Sequence, residues 1–247
     1  MRSSLLLILV PALLPVILIL RYIYRLDKNE REPLSLVVIV AILGAIFALP
    51  CSFVESFLLE ILAAAYSPES VKYALIENTI CVALVEELFK WLVIMIFVWK
   101  DRNFDYRYDG IVYAVAASLG FAALENVLYI SRFGIEVALG RAIFAIPGHT
   151  TFAVFMGFNL SRAKASLLAC DPRGLRRYKL LALVIPMLIH GLYDFLLSDQ
   201  ADAAGYGSWF FVFVILLDII AWIVIKHEFR TDQKLDKADN SPVPPGV

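Results

Sequence analysis

Charge and cysteine are both scarce in this chain, and several common signatures are missing. Only 18% of the 247 residues are charged, against 61% hydrophobic, far from the balance of a soluble globular domain. The three cysteines, Cys51, Cys81 and Cys170, show no CxxC spacing, which argues against a disulfide framework. There is no basic stripe and no nucleic-acid motif, so nucleic acid is excluded as a partner. The alternation of β-barrel strands is absent. No internal repeat is evident, which weakens an inverted-repeat transporter. HExxH is missing too, so no motif announces zinc.

What is present is a series of continuous apolar stretches, at roughly 4–20, 34–58, 75–99, 110–130, 141–160, 180–198 and 208–226. Each is long enough to cross a bilayer and is read as a helix, because irregular backbone cannot face lipid. The expected fold is an all-α polytopic membrane helix bundle of about seven transmembrane helices. The first stretch ends in Arg21-Tyr22-Ile23-Tyr24-Arg25 with no small-x-small cleavage site, so it reads as a retained span bent by Pro11 and Pro15. Loop charge sets the orientation. Four Lys/Arg lie in 21–32, three in 100–108, six in 161–179 and four from Lys226 onward, while the alternate loops are poorer. The positive-inside rule then puts the N-terminus outside and the C-terminus in the cytoplasm. Residues 1–230 form the membrane domain. The tail, 231–247, is charged and then Pro-rich and is expected to be disordered.

Against this apolar background, a few ionisable residues lie deep inside spans. The stretch 82–93 carries Glu86, Glu87 and Lys90; later spans carry Glu125, His149, and His190 with Asp194. A charge at membrane depth costs between a few and more than ten kcal/mol, so it normally has a partner and a task. At about 1.5 Å per residue, Glu86, Glu125, His149, His190 and Asp194 all fall roughly 6–16 Å below the outer surface, in one layer. Glu86 and Lys90 are i,i+4, as are His190 and Asp194, so each pair shares a helix face. Pro147-Gly148 frees backbone groups just before His149, which a membrane tolerates only beside protein or water.

Two chemistries fit. Glu125, His149 and His190 can hold a catalytic zinc with Glu86 as the base on its water. The same groups can work without metal, with a glutamate in a dry pocket activating water directly. Plainer roles exist for each residue: a buried Glu86–Lys90 ion pair, a polar helix contact at Glu125-Asn126, histidines packed or hydrogen-bonded, a solvated Asp194. Glu55 and Glu60 are expected at the outer interface, Asp218 shows no evident partner, and His227 lies past the layer.

These residues resemble the PrsW family of intramembrane proteases, relatives of the CAAX-type membrane protease superfamily. Glu86-Glu87-Leu88-Phe89-Lys90 is similar to the family's EExxK, and Phe121-Ala122-Ala123-Leu124-Glu125 to its FxxxE. His149, with Gly157, lies where the family has its membrane histidine, and His190-Gly191-Leu192-Tyr193-Asp194 is similar to HxxxD. The loop Leu26-Asp27-Lys28-Asn29-Glu30-Arg31-Glu32-Pro33 resembles the family's acidic Pro-containing loop, with Arg31 where a proline is usual. The likeness covers about 27–194. It implies an endopeptidase of the bacterial inner membrane that cuts single-span proteins such as an anti-sigma factor, at a metallo- or glutamate-type centre. In that reading Glu86, Glu87, Lys90 and Asp194 serve catalysis, and Glu125, His149 and His190 are the candidate ligands of a zinc ion. A proton-coupled carrier is the main rival. It requires polar residues through the whole thickness, whereas the inner halves of spans three to six are apolar below Lys90. A helix-binding protein that does not cut is the other.

Overall fold

Inside a bilayer each backbone amide must find its partner within the segment, so the apolar stretches have little choice but to coil. A computed structural model describes residues 2–235 and shows α1 (Arg2–Leu26), α2 (Leu34–Ala65), α3 (Val71–Ile76), α4 (Leu84–Phe97), α5 (Asp109–Phe133), α6 (Val137–Gly140), α7 (Ile146–Leu168), α8 (Pro172–Leu196), α9 (Asp199–Ala203) and α10 (Phe210–Arg230). Two π-helical turns, Glu77–Ala83 and Arg141–Ala145, join α3 to α4 and α6 to α7. Among the described residues no strand forms beyond one isolated bridge between Tyr106 and Lys234.

Among the described residues six helices are long and apolar enough to cross a membrane, where the hydropathy pattern suggests about seven. The difference lies in the third stretch. It is a composite rod, α3–π–α4, which stays in right-handed helical backbone across both junctions but contains a π turn and the charges of Glu86, Glu87 and Lys90. Pro11 and Pro15 lie inside an unbroken α1.

At the centre stands α5. Every residue from Asp109 to Ala122 is buried, and the run is rich in Ala, Gly and Ser, which let neighbouring backbones come close without a hydrophobic drive between helices. The approach is tightest where Gly120 meets the Ala41 carbonyl of α2, since a Cβ there would overlap that carbonyl. The α7 helix also packs on α5, and α8 packs in turn on α7 and on the first π turn. In contrast, α1 and α10 keep most of their surface on the outside of the bundle, displaying Leu6, Leu14, Phe211 and Ile219.

At the end of the bundle where α5 begins, the first part of the tail folds back. Lys234 pairs with Asp105 at 3.1 Å, and the Tyr108 amide donates to Asp232 at 3.0 Å. The Pro-rich remainder of the tail lies outside the described residues.

Candidate active site

The seven predicted residues reach the site from four helices, α4, α5, α7 and α8, and the two π turns lie just ahead of those on α4 and α7. In a π turn the hydrogen bond reaches back five residues, as from Leu84 N–H to the Thr79 carbonyl and from Ile146 N–H to that of Arg141. The added residue rotates the next helical turns relative to a straight α-helix, and such insertions recur at functional sites. After the first turn come Glu86, Glu87 and Lys90; after the second comes His149. The α8 helix lies close against the first turn because Gly191 has no side chain: a Cβ there would be 2.7 Å from Thr79 Cα.

Lys90 is the hub. Its ammonium donates to Glu86 Oε2 at 2.8 Å and to Glu87 Oε1 at 2.8 Å, and lies 3.1 Å from His149 Nδ1 and 4.6 Å from the Phe121 ring centroid. An ammonium can only donate, so His149 Nδ1 accepts and the ring proton lies on Nε2. That nitrogen faces Glu125 Oε2 at 2.9 Å, and Ser118 Oγ holds the His149 carbonyl at 2.9 Å. On the other branch, Glu87 Oε1 lies 3.0 Å from His190 Nδ1, and His190 Nε2 lies 3.1 Å from Asp194 Oδ2. Phe152 stacks on His190 with centroids 4.6 Å apart, and the two imidazoles are 5.7 Å apart. All seven predicted residues thus belong to one connected network.

Their exposure differs in a way the sequence does not reveal. A cavity of about 1200 Å³ is lined by Glu86, Glu125, His149, His190 and Asp194, whereas Glu87 and Lys90 stand behind its wall. Glu87 is fully buried, and its Oε2 has no hydrogen-bond partner. The cavity is bounded by the last turns of α5 and α8, so it opens at the end of the bundle away from the 27–33 loop.

At this site candidate ligand atoms fall into two groups, each with its members within 4.8 Å of one another: Glu86, Glu125 and His149, and Glu86, Glu87 and His190. Such separations suit donors around one ion. The grouping differs from a centre of Glu125, His149 and His190, because the histidines fall in separate groups that share Glu86. Of the two groups, only the first faces the cavity with all three members.

Several participants are not evident from the sequence. Arg141, which reads as loop charge, pairs with Glu125 at 3.0 Å, donates to Asn126 Oδ1 at 2.5 Å and lies 4.1 Å from the Tyr129 ring centroid. Glu55 lines the cavity rather than an outer interface, with Cys51 Sγ 3.2 Å away. Asp218 does have a partner, accepting from Thr151 Oγ1 at 2.9 Å. The only available signal for Arg141 is its place eight residues before His149, which puts it at the same end of the bundle.

A family model described as PrsW family intramembrane metalloprotease matches residues 32–222. Among similar proteins, Protease PrsW of Oceanobacillus iheyensis is 37% identical over 216 residues, 86% of this chain and 92% of that one. Protease PrsW of Geobacillus kaustophilus is 37% identical over 202 residues, covering 81% and 84%. The protein of that name from Bacillus subtilis is 34% identical over 200 residues, covering 81% and 87%. No solved structure matches the chain.

Proposed function

Because the chain belongs to the PrsW family of intramembrane proteases, we propose that it hydrolyses a peptide bond of a single-span membrane protein, of the anti-sigma-factor kind, with Glu86 as the base. The observation that carries this reading is the network itself. Carboxylates and imidazoles from α4, α5, α7 and α8 meet on the wall of one cavity, held by a lysine that does not reach that cavity.

Lys90 takes one oxygen of Glu86, leaving the other to accept a proton from water. The water oxygen adds to the carbonyl carbon of the scissile bond, and its proton passes to Glu86. His149 gives its Nε2–H to Glu125, and His190 lies between Glu87 and Asp194, so the two rings fix the carboxylates around Glu86 rather than donating to the developing oxyanion. Glu86 then returns its proton to the leaving nitrogen as the C–N bond breaks. Asp194 orients His190 from the cavity side, and Glu87 does so from behind. Arg141 holds Glu125. Lys90 and Glu87 are therefore positioning residues.

The family name speaks of a metalloprotease, and Glu86, Glu125 and His149 are the residues that would hold a zinc ion facing the cavity, in which case Glu86 would serve as a ligand and not as the base. When bound, that ion would make a water more acidic and polarise a carbonyl. With the α1–α2 connection, which carries Lys28 and Arg31, in the cytoplasm, the cavity opens near the outer surface of a bacterial inner membrane. Co-expression with a tagged single-span substrate tests the proposal: Glu86→Gln should accumulate protein normally and leave the substrate uncut. Cleavage at the wild-type rate by that variant would remove Glu86 from the chemistry.

A further inference from the structure

A second cluster of acids lies about 24 Å along α5 from Glu125, taking 16 residues at 1.5 Å each, and is separate from the cavity. Asp27 follows α1, Glu32 precedes α2 and Asp109 opens α5. All three are almost completely buried, at 1%, 3% and 0% exposure. One carboxylate oxygen from each lies within 4.8 Å of the others. Part of the cluster is satisfied: Asp109 Oδ2 accepts from the backbone amides of Asp105 and Tyr106, and the Tyr113 hydroxyl donates to Glu32 Oε2. The rest is not. Both carboxylate oxygens of Asp27, and Oδ1 of Asp109, are buried without any hydrogen-bond partner.

Compensation is slight: the Arg31 charge and the Glu32 backbone amide favour ionised Asp27, and burial outweighs both. Among the described residues no Lys, Arg or His forms an ion pair with Asp27, Glu32 or Asp109. Arg31 directs its Nε at the Asp27 backbone carbonyl at 3.3 Å, not at the carboxylate. Asp105 and Asp232 add further negative charge nearby. Buried carboxylate oxygens without a donor are uncommon, and each calls for a counter-charge or a ligand.

We propose that Asp27, Glu32 and Asp109 form a binding site for a hard divalent cation of the magnesium class, which joins the ends of α1, α2 and α5. The donors are all oxygen, the set that Mg²⁺, Mn²⁺ and Ca²⁺ prefer over zinc. Oxygen–metal distances of about 2.0–2.6 Å put opposite ligands roughly 4–5 Å apart, which matches the cluster. The site bears on the fold rather than on the chemistry: its ion would fix the start of the helix that carries Glu125. It is independent of the peptidase reading, since no residue is shared.

Mn²⁺ is the probe, because the signal of the free ion in electron paramagnetic resonance reports binding directly. Full-length protein in detergent, stripped with chelator, should take up Mn²⁺ and melt at a higher temperature when it is bound. Asp27→Asn should lose this ion and the thermal shift, with affinity at least ten-fold weaker, while Glu125→Gln should keep both. Should Asp27→Asn not fold, Glu32→Gln provides the same comparison. Equal Mn²⁺ uptake by the wild type and these variants would place the ion elsewhere. Absence of uptake by the wild type at millimolar Mn²⁺ would show that the cluster holds only protons. Either outcome overturns the site.

Discussion

One ammonium stands between two carboxylates and an imidazole, and most of the local energetics derive from it. Lys90 is 1% exposed and Glu87 fully buried, so neither charge is tolerable without the other. Removing one partner of a buried ion pair costs about 3–5 kcal/mol, because the remaining charge is left uncompensated. Lys90→Met should therefore unfold the protein or lower its melting temperature sharply. Adding Glu86→Gln and Glu87→Gln to that variant should restore most of the stability and none of the activity. Thermal melts of the single and triple variants in detergent check this, and a triple variant no more stable than Lys90→Met would contradict it. At this scale the sequence is informative: Glu86/Lys90 and His190/Asp194 are i,i+4 pairs, visible by counting. It is silent on Arg141 and Glu125, 16 residues apart on different elements, because their pairing depends on how α5 and the π turn before α7 come together.

At the level of elements, the apolar runs announce the helices, since an unbroken hydrophobic stretch in lipid has one stable form. The two π turns are not announced. At the first, Gly191 of α8 packs against Thr79, a contact that only the fold brings about. The loop between α1 and α2 presents a further case. Its acid-and-proline pattern is easy to see, but only the fold brings Asp109 to it. Burial, and then the charge of Asp232, push the Asp27 carboxyl up to about 6; burial also pushes Glu32 up to about 7, against the hydrogen bond from Tyr113. Carboxyls whose folded values are raised favour the folded state most at pH below their unfolded values of 3.8 and 4.5. That contribution is lost as the pH rises through 6 and 7. In chelator, the melting temperature should therefore fall by several degrees between about pH 5 and about pH 8. Asp27→Asn should flatten the fall. A variant whose profile parallels the wild type would show that these acids do not carry the dependence.

For the whole molecule, the arrangement has two ends of different character. One carries the cavity, bounded by the ends of α5 and α8; the other carries the 27–33 loop, the start of α5 and the basic connection from α7 to α8. Loop charge assigns the second end to the cytoplasm, and Cys170 offers a way to check. It is exposed in that connection, whereas Cys51 and Cys81 are buried. A membrane-impermeant maleimide should label Cys170 in inverted membrane vesicles and not in intact spheroplasts; the reverse pattern would invert the topology. The hydropathy pattern conveys the number of apolar stretches and the layer of polar residues, but not which of those residues face the cavity, since exposure depends on every neighbour at once.

The central claim is that this cavity performs hydrolysis with Glu86 as its base, and reconstitution tests it most directly. Purified wild-type protein and the Glu86→Gln variant, each in liposomes with one single-span substrate, are compared for the appearance of new carboxyl termini by mass spectrometry. The account predicts one defined cut by the wild type and a rate at least 10²-fold lower for the variant. Equal cutting by both, or an intact substrate bound by fully folded wild type, would contradict it.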